Sequence, residues 1–95
     1  MHVAVLAWFL ATAYCQSGDT RSGVPAQSGI VAADPNVIPF GSLVRIKDRG
    51  LSRLYRVLDT GRAIKGRRID IYLPNCRSAR AFGTHRVLVR ILSRE

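Results

Sequence analysis

Ninety-five residues, 47% of them apolar, are enough for one small core and exclude a disordered or low-complexity chain. Fifteen Lys and Arg against six Asp and Glu leave a net charge of +9, which attracts polyanions. The basic residues are scattered, however, and no zinc-finger, RNP or helix-turn-helix pattern accompanies them, so charge alone does not choose among polyanions.

In chain order, Met1 to Ala13 is almost wholly apolar and ends in the small-x-small form Ala11-Thr12-Ala13 of a cleavage site. It has no Lys or Arg before the run and is shorter than the roughly 20 residues that span a bilayer. Tyr14 before Cys15 is too bulky for a lipoprotein signal. A strand from Trp8 to Tyr14 is the better reading, with residues 1–10 as a signal remnant or the start of that strand. Gln16 to Ser28 is rich in Ser, Gly, Thr and Pro and reads as a long surface loop. A short strand Gly29 to Ala33 stops at Asp34-Pro35-Asn36, and Pro39-Phe40-Gly41 turns into a strand Leu43 to Lys47. Asp48-Arg49-Gly50 is a hairpin connection into Leu54 to Leu58. Ile69 to Leu73 alternates, placing Ile69, Ile71 and Leu73 on one face and Asp70 with Tyr72 on the other. Asn75 caps a short helix Cys76 to Phe82 that Gly83 terminates, and Arg86 to Leu92 is the last strand. Six short strands, glycine turns and one small helix predict a mainly β, closed barrel.

The densest chemistry lies in Asp59-Thr60-Gly61-Arg62-Ala63-Ile64-Lys65-Gly66-Arg67-Arg68-Ile69-Asp70. Two carboxylates bracket a glycine-marked connection in a chain with little acid, and Asp34 supplies a third upstream. Asp59-Thr60-Gly61 is also a good turn signal in its own right. Together with Ala11-Thr12-Ala13-Tyr14-Cys15, Gly29 to Pro35, Val37 to Gly41, Ala81-Phe82-Gly83 and Val87-Leu88-Val89, these segments resemble the three-aspartate (3D) domain of bacterial cell-wall lytic enzymes. The aspartates that name that family match Asp34, Asp59 and Asp70. Arg62 departs from it, standing where a small residue is expected.

The resemblance implies one domain over residues 1–95, with 11–93 forming a six-stranded double-psi β-barrel like the catalytic domain of MltA-type lytic transglycosylases and stationary-phase muralytic proteins. It implies cleavage of the MurNAc-GlcNAc β-1,4 bond of peptidoglycan with a 1,6-anhydro product and no cofactor or metal. Glycan strands would be the partner, with anionic wall polymers beside them, no nucleic acid, no stable membrane span, and an exported, envelope location. Asp70 takes the role of single acid/base and Asp59 tunes it. Asp34, Lys65, Tyr14, Thr12 and Thr60 are the expected substrate contacts, Asp34 having a turn-holding role as its alternative. A general acid near neutral pH needs a pKa well above the ordinary 3.9 or so, which burial and the like charge of Asp59 would supply.

Cys15 and Cys76 lack the spacing of a metal site. They form a disulfide in an exported domain and two buried thiols otherwise. His85 and His2 read as structural or solvated, Trp8, Phe9 and Phe40 as core, and Arg77, Arg80, Arg86 and Arg90 as solvated faces. Two other functions compete: a non-catalytic wall-binding barrel, and a basic nucleic-acid-binding module, which has no need of the Asp59 and Asp70 pair.

Overall fold

The computed structural model describes residues 5–93, so His2 lies outside the described residues. Six strands and one helix follow in the order β1 Val5–Tyr14, β2 Ile30–Ala33, β3 Leu43–Asp48, β4 Leu51–Asp59, β5 Arg68–Tyr72, α1 Cys76–Phe82 and β6 His85–Ser93. Each expected strand exists, although β1, β4 and β6 run further than the expected bounds. Hydrogen-bonded pairing runs β1-β5-β2-β4-β3-β6 and closes on itself. The pairs β1–β5 and β2–β4 are parallel and the other four antiparallel. The molecule measures 40 × 30 × 21 Å along its principal axes.

Alternation along the strands builds the core. Phe9 and Ala11, Val31 and Ala33, Val44 and Ile46, Ile69 and Ile71, and Val87 and Val89 point inward and are buried with Val57 and Ile38. Burying a side chain of this size contributes roughly 1.5–3 kcal/mol, so truncating Ile69, which is fully enclosed, is expected to cost about 2–5 kcal/mol. The same alternation corrects two expectations. Trp8 is 56% exposed, because Phe9 takes the inward position and turns its neighbour out. Phe40 is 40% exposed on the turn before β3 rather than in the core; Ile38 fills the interior there instead.

Turns follow the residues that permit them. Arg49 and Gly50 both have positive φ, 52° and 82°, which a two-residue hairpin between twisted strands requires. The Asn75 side chain accepts hydrogen bonds from the backbone N–H groups of Arg77 and Ser78 at 2.9 and 3.1 Å, and Gly83 ends the helix at φ 68°. Arg62 keeps an ordinary backbone conformation, since Arg49 is the one non-glycine with positive φ among the described residues; the departure at this position is unstrained. Cys15 and Cys76 are joined, with Cα atoms 5.2 Å apart across a separation of 61 residues. The bridge ties the end of β1 to the start of α1.

Candidate functional site

One row of side chains on the outer face crosses four strands. Thr12 on β1 pairs with Asp70 on β5, Asp70 with Ala32 on β2, and Ala32 with Asp59 on β4. With strands about 4.8 Å apart, the two aspartate backbones stand roughly 10 Å from each other. Ala32 between them is a methyl group, which leaves the space above it to the carboxylates.

Asp59 reaches this row through a bulge. Simple alternation from the buried Val57 would send Asp59 inward. The β2–β4 ladder instead passes from Val31 opposite Val57 to Ala32 opposite Asp59, so Leu58 is an extra residue. A bulge of this kind re-aims the next side chain. The Leu58 carbonyl accepts the backbone N–H of Ser22 at 3.1 Å, so the loop between β1 and β2 supports the irregularity. That loop is folded rather than loose. The Thr20 N–H donates to the Val24 carbonyl and the Ala26 N–H to the Gly18 carbonyl, and the Thr20 hydroxyl also donates to Val24 O at 2.7 Å.

The two carboxylates of this row have different surroundings. Asp59 accepts three hydrogen bonds: from the Tyr14 hydroxyl at 3.1 Å, the Arg21 N–H at 2.9 Å and the Thr60 N–H at 3.0 Å. Thr60 thus contributes its backbone. Asp70 accepts one, from the Thr12 hydroxyl at 2.9 Å to Oδ1, and Oδ2 has no partner among the described residues. Burial raises the Asp70 pKa above the ordinary carboxylate range; the Thr12 hydrogen bond and the Arg68 charge oppose the rise, and the Asp59 charge adds to it least. Burial, not the neighbouring carboxylate, is therefore the main cause. The Tyr14 pKa is also pushed up, by burial first and then by Asp59, so its hydroxyl keeps its proton and serves as a donor. Tyr14 packs edge-on to Tyr72 with ring centroids 5.3 Å apart, and Tyr72 is 7% exposed, closing one end of the row.

Asp34 and Lys65 belong to a different place. The Asp34 carboxylate accepts the N–H of Asn36 at 3.0 Å and that of Gly66 at 2.8 Å, joining the end of β2 to the loop before β5. These two hydrogen bonds hold its pKa below the ordinary range, and the Lys65 charge reinforces them. The charge that bears on Asp70 is that of Arg68, not Lys65. Arg68 escaped notice in the sequence, although a position two residues before Asp70 on a strand is itself the signal. Its Nε is buried without a hydrogen-bond partner. His85 is structural, with Nε2 3.0 Å from both Asp48 oxygens and its ring 4.4 Å from that of Phe82.

Residues 29–93 match the 3D domain. The chain belongs to this family. The cell wall-binding protein YocH of Bacillus subtilis (strain 168) is 37% identical over 92 residues, covering 87% of this chain and 31% of YocH. YabE of the same organism, provisionally named a cell wall shaping protein, is 40% identical over 88 residues, covering 86% of this chain and 21% of YabE. Among solved structures, MltA from E. coli superposes with a TM-score of 0.67 and 30% identity, over 80% of this chain and 27% of MltA. MltA with bound chitohexaose gives a TM-score of 0.65 and 27% identity, over 80% of this chain and 28% of that one. The 3D domain thus spans about a fifth to a third of the proteins it resembles.

Proposed function

We propose that this 3D domain cleaves peptidoglycan glycan strands as a lytic transglycosylase, with Asp70 as the single acid/base. The observation that carries the reading is Asp70 itself: a half-buried carboxyl with raised pKa, one oxygen without a partner, on the same face as a second carboxylate. Similarity to MltA, described as having a lytic transglycosylase fold, supports the same reaction. We take the closed sheet to be a double-psi barrel, a reading supported by its two parallel pairs and by the MltA superposition. The cell-wall names of YocH and YabE support an envelope location.

In the proposed reaction the Asp70 carboxyl protonates the glycosidic oxygen as its bond to the muramyl anomeric carbon breaks. The muramyl 6-hydroxyl oxygen bonds to that carbon, and its proton passes to the Asp70 carboxylate. The acid is regenerated and the 1,6-anhydro ring is closed without water. Attack from within the substrate avoids the entropy of recruiting a second reactant, which is why one carboxylate suffices where ordinary glycosidases use two. Thr12 orients Asp70, while Asp59 accepts the Tyr14 hydroxyl proton and so leaves the Tyr14 oxygen as an acceptor toward bound sugar. Incubating purified protein with sacculi and measuring anhydro-muropeptides by mass spectrometry tests the proposal; none released by folded, wall-bound protein would reject it. That result is what the second reading expects, a non-catalytic wall-binding barrel, favoured by the naming of YocH as a cell wall-binding protein and by the small share of MltA this chain spans.

A further inference from the structure

Trp8 is the chain's one tryptophan, and it stands mostly in solvent. It lines an open cavity of about 500 Å³ with Lys47, Asp48, Arg49, His85 and Arg86. Asp48 accepts a hydrogen bond from His85 Nε2 at 3.0 Å and lies 3.9 Å from Arg49 Nε. Lys47 and Arg86 have no ion-pair partner among the described residues, so the cavity presents an aromatic face beside uncompensated cations. An exposed indole of this kind offers a ring plane to an apolar sugar face, and the cations select carboxylate groups.

Trp8 and Thr12 lie on the same outward face of β1, four residues or about 13 Å apart. The position between them, Leu10, is flanked in register by Arg68 on β5 and Arg86 on β6. Trp8 itself pairs with Leu88. The outer face of β6, β1 and β5 is therefore one continuous track from Asp70, past two arginines, to the Trp8 cavity.

We infer that Trp8, Lys47 and Arg86 form a distal subsite for the same glycan strand, where Trp8 stacks on a sugar ring and the cations take a muramyl carboxylate. The inference rests on the proposed function, which places the strand at Asp70. It commits the cavity to a carboxylate-bearing sugar polymer, because a neutral glycan would leave the cations unpaired and an apolar partner would leave them desolvated.

The single tryptophan makes the test direct. Asp70→Asn protein, which binds without cleaving, is titrated with peptide-free tetrasaccharides and octasaccharides of alternating N-acetylglucosamine and N-acetylmuramic acid. Calorimetry measures affinity and emission reports on Trp8. The octasaccharide is expected to bind about tenfold more tightly than the tetrasaccharide, the scale of a well-packed aromatic anchor, and to shift the emission to the blue. Trp8→Ala, at a mostly exposed position outside the core, should remove this length gain. The Lys47→Gln and Arg86→Gln pair should keep the emission change but abolish preference for the acidic octasaccharide over a chitin oligomer of equal length. An octasaccharide that binds with unchanged emission, or a length gain that survives Trp8→Ala, overturns the subsite while leaving glycan binding at Asp70 intact. No binding of any oligomer by calorimetry overturns the proposed function and the subsite with it.

Discussion

Asp34 and Asp70 are the same residue type, Asp34 lying two residues past the β2 position that pairs with Asp70, and they are placed in opposite electrostatic conditions. Asp34 receives two backbone N–H groups, from Asn36 and Gly66, that stabilise its ionised form. Asp70 receives one hydroxyl and is surrounded by protein that disfavours ionisation. A carboxylate with its hydrogen bonds satisfied by the backbone joins two segments of the fold. One that is desolvated and half-satisfied is held ready to give up a proton, at a cost to stability. The three aspartates thus divide into one joint and two residues of the outer row.

The largest effect expected from this division is on rate. Asp70→Asn should lower anhydro-muropeptide release by at least 10²–10⁴-fold, the usual worth of general acid/base action, because Asn can neither donate nor regain the proton. Circular dichroism and wall pull-down should remain as in the wild type. Asp34→Asn should leave the chemical step in place in whatever fraction of the protein is folded. Equal loss of kcat in both folded variants would erase the distinction.

Next comes the disulfide, which holds the Tyr14 end of β1 rather than the Asp34 joint. In the chain-entropy picture, a bridge across 61 residues contributes about 4 kcal/mol, and each kcal/mol moves the midpoint of a domain this size by roughly 4–8 °C. Reduction should therefore lower the Tm by about 15 °C or more. Because the bridge follows Tyr14 directly, hydrogen exchange in the reduced protein should accelerate first at the Leu73 N–H, which is bonded to the Tyr14 carbonyl, and later at Gly66. A Tm unchanged by reductant, with free thiols verified, would contradict this.

The two aspartates should also pull stability in opposite directions with pH. The Asp34 pKa is lowered on folding, so its contribution is full above the unfolded value near 3.9 and is lost as pH falls through the folded value. Asp34→Asn should thus destabilise at neutral pH and converge with the wild type in acid. The Asp70 pKa is raised, so its penalty is absent below about 3.9, grows as pH rises, and is complete above the folded value. Asp70→Asn should be more stable than the wild type at pH 7 and equal to it in strong acid. Denaturant midpoints for the two variants across pH 3–8 check both signs.

Much of this was legible in the sequence where a local rule decides it. Alternation around Ile69 and Ile71 turned Asp70 outward, and Asn75 and Gly83 marked the helix ends. Asp59 was reached through the family resemblance and not through alternation, because parity from Val57 sends it to the core and only the bulge at Leu58 reverses that. Nothing in Leu58-Asp59 marks a bulge; it depends on the β2 register and on the Ser22 N–H from a distant loop. Nor could Trp8-Phe9-Leu10 say which residue faces in, since any of the three suits a core. That choice was made by the pairing of β1 with β5 and β6. The contacts of Asp59 with Arg21 and Thr60 are to backbone N–H groups, which any residue could supply.

The smallest expected effect concerns how Asp70 is tuned. Burial dominates its raised pKa, the Thr12 hydrogen bond is the strongest opposing influence, and the Asp59 charge is the weakest of the contributions. Removing the hydroxyl in Thr12→Val deletes a hydrogen bond to the ionised form, so the pKa should rise further. Removing the charge in Asp59→Asn deletes a repulsion, so it should fall, and by less. Both shifts appear on the alkaline limb of the pH–rate profile, where a general acid loses its proton: Thr12→Val moves that limb up, Asp59→Asn moves it down. Asp59→Asn should also slow the reaction only about tenfold, through looser placement of Tyr14, and Tyr14→Phe should reproduce the slowing without the downward shift, because the charge of Asp59 remains. If instead Asp59→Asn moved the limb further than Thr12→Val, the two carboxylates would be a coupled pair, and burial would no longer explain why Asp70 holds its proton.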